Sequence, residues 1–188
     1  MGKLLLALIL SFALPCQAEV DLTSLREGGY VLYLRHASTD FSQNDAAMKS
    51  YEDCASQRNL TDKGRGEARL IGEHVKRLGI PIGAVFASPF CRTMETARLA
   101  FGKAQAMNEV RGGPTRTEDP QRYEGLRKLM ATRPASGTNT VISSHANPFY
   151  ALVGPPYLAE GEMALVRPGD DSFAIVGRIR VEDWQAFK

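Results

Sequence analysis

A chain of 188 residues, 44% hydrophobic and 23% charged, has the length of one domain and the composition of a globular protein. Collagen-like, low-complexity and wholly disordered classes are excluded. Net charge is only +2, from 23 basic and 21 acidic residues, which excludes a general polyanion-binding surface, since non-specific nucleic-acid affinity rests on clustered, uncompensated Lys and Arg.

In chain order, a targeting signal comes first. Lys3 supplies a positive start, Leu4 to Leu14 is an apolar run broken only by Ser11, and Pro15 to Ala18 forms a cleavage zone with small residues. The run is too short for a transmembrane span. The expectation is a signal peptide over residues 1–18 and a single exported domain over residues 19–188, with no stable membrane insertion. A lipoprotein signal acylated at Cys16 is the rival reading. Removing Cys16 with the signal leaves Cys54 and Cys91, an even pair in an oxidising compartment, and a disulfide between them is favoured over two unrelated thiols.

The mature chain then alternates short apolar runs with helical stripes. Tyr30 to Leu34 reads as a buried strand. Thr61 is placed to cap a helix, with Asp62 at its positive end and Ala68, Ile71, Gly72, Val75 and Leu78 at helical spacing, until Gly79 and Pro81 stop it. Ala84 to Ala87 is a second strand, and Ser88-Pro89 reads as the cap and first turn of a helix with Met94, Ala97 and Phe101 on its apolar face. A loop over Gly112 to Pro120, a helix over Tyr123 to Ala131, a strand over Thr140 to Ser143 and a helix over Pro148 to Val153 follow. Met163 to Val166 and Phe173 to Ile179 close the chain as strands. This order predicts an α/β fold: a three-layer sandwich with a mostly parallel central sheet and helices on both faces.

Charged residues fall at comparable places in these units. Arg35 and His36 stand past the first strand, Arg92 lies in the first turn after the second, and His145 follows the third. Ligands of open α/β sheets bind beyond the carboxyl ends of the strands, where helix N-termini add N–H donors. Two histidines and two arginines gathered there suit an anion, and phosphate best.

Leu34-Arg35-His36-Ala37 resembles the Arg-His-Gly signature of the histidine phosphatase superfamily, the phosphoglycerate-mutase-like fold. Leu60-Thr61-x-x-Gly64-x-x-x-Ala68 and Ser88-Pro89-x-x-Arg92-Thr93-x-x-Thr96-Ala97 resemble two further blocks of that family, and Ser144-His145-Ala146-Asn147 stands where it carries a second histidine. The resemblance implies a metal-independent phosphomonoester phosphatase without a cofactor. His36 would be the nucleophile forming a phosphohistidine. Arg35 and Arg92 would clamp the phosphoryl oxygens, and His145 would donate a hydrogen bond to them. The substrate would be a phosphorylated small molecule, glycan or protein. Mutase activity is disfavoured for want of chain length for a lid. The alternative is a catalytically silent phosphate-binding module on the same fold.

Two departures from the family pattern stand out. Ala37 replaces the usual glycine, adding a methyl expected to narrow the pocket slightly. The family's local pattern around a proton-donating glutamate, between the second arginine and the second histidine, is not found. Glu109, Glu118 and Glu124 lie in that region without context. Glu162, at the start of a strand that could face the crevice, is the expected general acid, with Glu160 and Glu109 as alternatives. Arg58, before the helix cap, is a possible substrate contact, and His74, beside an apolar stripe, is expected to have no catalytic role.

Overall fold

The computed structural model describes residues 22–114, 119 and 121–187; the expected signal peptide, Cys16 and Glu118 lie outside them. The strands are β1 (Val31–Arg35), β2 (Ile82–Ala87), β3 (Gln105–Ala106), β4 (Asn139–Ser144), β5 (Met163–Pro168) and β6 (Phe173–Ile179). The helices are α1 (Leu22–Glu27), α2 (Asp62–Arg77), α3 (Cys91–Phe101), α4 (Glu124–Ala131) and α5 (Ala146–Val153). One six-stranded sheet runs in the order β3-β2-β4-β1-β5-β6. Its β3-β2-β4-β1 portion is parallel, and β5 turns antiparallel to both β1 and β6.

Strand β1 shows why helices cover both faces. Side chains alternate along a strand, and Leu32 and Leu34 pack with Ile71, Val75 and Ala97 of α2 and α3. Val31 and Tyr33 point the other way, into a core with Leu126 and Met130 of α4 and Phe149 of α5. Both cores are built mainly of aliphatic and aromatic side chains. The sandwich read from the sequence is the one observed.

Helix α2 begins as its sequence dictates. Thr61 is the N-cap and its side chain accepts from the N–H of Gly64 at 3.0 Å, while Ala68, Ile71, Val75 and Leu78 are buried. Gly64 is required by close approach: a Cβ there would collide with the backbone carbonyl of Ser38. The start of α3 differs from expectation. Its N-cap is Phe90, with no side-chain cap bond, and the hydroxyl of Ser88 is used elsewhere.

Register sets the carboxyl ends of three strands level. Arg35 pairs with Ser144, and Ala87 with Ser143. The residue after each strand (His36, Ser88 and His145) therefore emerges at one edge of the sheet. Backbone bonds extend the order past the strand ends: His36 N donates to Ser144 O at 3.0 Å, Ser88 N to Ser143 O at 2.9 Å, and Gly161 N to His36 O at 2.9 Å.

Candidate active site

These ends open on a cavity of about 350 Å³ walled by Arg35, His36, Asp45, Arg58, Arg92 and His145, among others. His36 is 1% exposed and His145 7%, their rings edge to face with centroids 5.4 Å apart. Nδ1 of His36 lies 3.0 Å from the carbonyl oxygen of Ala37. Since a carbonyl only accepts, Nδ1 carries the proton and Nε2 keeps its lone pair. Burial drives the His36 pKa well below its ordinary value; the Ala37 bond opposes this, and Arg92, Arg35 and Arg58 reinforce it. His145 is likewise held well below, by burial first and then by His36 and the same arginines. Both rings are neutral near pH 7.

His145 is fixed from several sides. Its Nε2 lies 2.8 Å from the hydroxyl of Ser88, Tyr33 Oη donates to its carbonyl at 2.8 Å, and Phe90 meets its ring edge to face. A Cβ on Gly112 would stand 3.2 Å from its Cδ2, a tight contact that the ring would have to yield to by a few tenths of an ångström. The Ser-Pro-x-x-Arg-Thr-x-x-Thr-Ala block thus works as a bracket. Ser88 holds His145, Arg92 walls the cavity, the Thr93 hydroxyl lies 2.7 Å from the carbonyls of both Ser88 and Phe90, and Thr96 Oγ1 accepts from Ala37 N at 3.2 Å.

The arginines carry the electrostatics. Arg92 is 5% exposed, and Arg35 donates through Nη1 to Leu158 O at 2.7 Å. Burial lowers the pKa of both below the usual arginine value; both remain cations at any physiological pH. Among the described residues, the buried side-chain polar atoms without a protein partner are the Nε atoms of Arg35, Arg58 and Arg92, together with Trp184 Nε1. Buried donors left unpaired are costly. Three of these four atoms belong to guanidinium groups that wall one cavity.

The carboxylates are placed differently from the sequence expectation. Glu162 does not wall the cavity: its Oε2 accepts from Ala159 N at 2.7 Å and its Oε1 faces Arg178 at 4.0 Å. The strand start does reach the site, since Glu162 O accepts from Arg35 N at 3.0 Å, but the carboxylate folds back onto its own turn. Glu160 lies nearer, accepting from Thr39 Oγ1 at 2.7 Å and Arg35 Nη2 at 3.4 Å; it stands 3.9 Å from His36 Nδ1, the ring's protonated side. Glu109 is exposed, against Gly125. Ala37 does not narrow the pocket either: its methyl packs with Leu60 and Ala68. His74 stacks near Trp184, at 6.3 Å, and takes no part in the cavity wall.

Sequence reasoning passed over Asp45. Its carboxylate accepts from Arg92 Nη1 at 3.0 Å and Nη2 at 3.1 Å and from Arg58 N at 2.9 Å. Arg58, whose guanidinium lies over the exposed ring of Phe41 at 4.9 Å, completes this side. The same segment is tied to α3 by the Cys54–Cys91 disulfide, as expected, and by Cys91 N donating to Gln57 Oε1 at 2.9 Å.

A family model described as histidine phosphatase superfamily (branch 1) matches residues 31–113, a span that holds His36 and Arg92 and ends before His145. Over those residues the chain is similar to that superfamily. The chain also shares its fold with solved structures. Phosphoserine phosphatase from Entamoeba histolytica, a variant in complex with phosphoserine, aligns at 12% identity and TM-score 0.58, over 82% of this chain and 98% of that one. The protein histidine phosphatase SixA complexed with tungstate aligns at 19% and 0.55, over 82% and 98%. Phosphoglycerate mutase from Bacillus anthracis str. Sterne aligns at 11% and 0.59, over 86% and 98%. No curated protein matches the chain significantly. No helix among the described residues is long and apolar enough to cross a membrane.

Proposed function

We propose that the chain is a metal-independent phosphomonoester phosphatase that forms a phosphohistidine on His36. One observation carries this reading: the guanidinium groups of Arg35, Arg58 and Arg92, each with its Nε buried and without a protein partner, belong to residues that wall the same cavity as a neutral histidine whose Nε2 is free to attack. A phosphoryl group has three oxygens to accept from them, and charge spread over those oxygens in the transition state is what fixed cations stabilise. The guanidinium groups supply the charge that a metal supplies elsewhere. His145 would add a hydrogen bond from Nδ1, since Ser88 engages Nε2.

The substrate would be a phosphorylated small molecule, glycan or protein, in keeping with neighbours named for phosphoserine and protein histidine phosphatases. Action outside the cytoplasm, after signal cleavage near Ala18, is supported by the disulfide. The test is trapping: wild type quenched during turnover of an aryl phosphate should carry one acid-labile, base-stable phosphoryl group mapped to His36. Turnover without it would refute the reading.

A further inference from the structure

An anion already sits on Arg92, and it belongs to the protein. Asp45 reaches in from the exposed segment after β1 and takes both terminal nitrogens of the guanidinium. Among the described residues walling the cavity it is the only carboxyl group. Glu160 and Glu162 are held by Thr39 and Ala159. We propose that Asp45 is the acid–base residue of the reaction and that the substrate exchanges places with it on Arg92; this rests on the phosphohistidine reading above.

The exchange is what makes a carboxylate of this kind useful. Asp45 is partly buried, which disfavours its charge, but its bonds to Arg92 and to Arg58 N win, and its pKa lies below the usual carboxylate range. Arg92 from α3 and Arg58 from the segment ahead of α2 are the charged groups that face it. A carboxylate held this way is a poor proton carrier. When phosphoryl oxygens take the Arg92 donors, Asp45 loses its bidentate cation and gains an anionic neighbour, and both changes raise its pKa. A phosphomonoester gives up its last proton at about pH 6, so the entering monoanion can pass that proton to Asp45, leaving a dianion among the arginines.

The steps then balance. Nε2 of His36 bonds to phosphorus, the ester P–O bond breaks, and the proton of Asp45 goes to the leaving oxygen to give the free alcohol. Water next attacks phosphorus and gives one proton to the Asp45 carboxylate as the N–P bond breaks. Inorganic phosphate takes that proton on departure, and Asp45 returns to Arg92 as a carboxylate.

The test is the first-turnover rate of the full chain across phosphate esters whose leaving groups run from activated phenols to simple alcohols. Wild type should vary little along the series. Asp45→Asn keeps an acceptor for Arg58 N but carries no proton: alkyl esters should slow on the order of 100-fold or more. An activated aryl ester, whose leaving oxygen needs no proton, should keep its first turnover within a few-fold while phosphohistidine accumulates. Formate added to Asp45→Ala should restore part of the alkyl rate. Equal losses at both ends of the series with weaker inhibition by inorganic phosphate would make Asp45 a brace for Arg92 and overturn the proposal. Undiminished alkyl turnover, or no rescue by formate, would do so too. Absence of phosphohistidine from wild type would instead count against the parent reading and not against Asp45 alone.

Discussion

The site is built from two halves that are held by different means. The strand-end half (Arg35, His36, Ser88 and His145) is fixed by sheet register and by backbone bonds that continue past it. The other half, Asp45 with Arg58 and its Phe41 neighbour, rides on an irregular segment held by side chains and one disulfide. The role proposed for His36 needs close placement against the reacting atom, which a sheet supplies. The exchange proposed for Asp45 needs a tether with play, which a loop supplies.

The largest effect should come from the rigid half. His36→Ala is expected to lower aryl phosphatase activity by on the order of 1,000-fold or more with an unchanged far-UV circular dichroism spectrum; comparable activity would remove His36 from the chemistry. Next, reduction of Cys54–Cys91 should cost up to about 4 kcal/mol of stability in the chain-entropy model. Hydrogen exchange should then rise across residues 41–59 well before it rises in β1 and β4, and uniform loosening would erase the distinction between the halves.

Arg92 belongs to both halves. Arg92→Lys should lower kcat/KM by on the order of 100-fold, close to Arg92→Ala, because an ammonium cannot reproduce a fork; vanadate inhibition across the three proteins reads this directly. A Lys variant that binds vanadate as wild type does would show that charge alone suffices.

Acid should act on the rigid half. His36 and His145 have folded pKa values well below the unfolded value of about 6.5, so below that pH the unfolded chain binds protons that the folded chain refuses. Stability is therefore complete above about pH 6.5 and falls as pH drops below it, at up to about 1.4 kcal/mol per pH unit for each histidine. Thermal melts between pH 7.5 and about 5 should show the decline, and His36→Ala should shallow it. The smallest effect is expected of Ser88→Ala, a loss of about 10-fold in kcat from a less firmly held His145, with Tm little changed.

The rigid half was also the legible one. Apolar runs ending in Arg35-His36 and Ser144-His145 announce strand ends, and Thr61 with its stripe announces α2, because periodicity and caps are local signals. Ser88 was legible in position but not in purpose, since a Ser-Pro pair looks the same whether its hydroxyl caps a helix or holds a histidine. Glu162 was misplaced because sequence locates a backbone and not a χ angle; its carboxylate reaches Ala159 N instead of the cavity. Asp45 gave no signal at all. It lies in a polar, aperiodic stretch, and its contact with Arg92 spans 47 residues. Helix α1 and the two-residue strand β3 were too short to stand out from their surroundings.

Strand β1 faces two cores at once, so a slip of one residue would send Leu32 and Leu34 into the space meant for Val31 and Tyr33 on both sides together. The seat of His36 thus inherits the cooperativity of the entire molecule. The rims β3 and β6 can fray while the centre holds, as edges of a sheet do at lower free energy than its middle. Catalytic rate during gradual denaturation should therefore report the last event, staying level through early losses of edge structure and ending only when the whole domain opens.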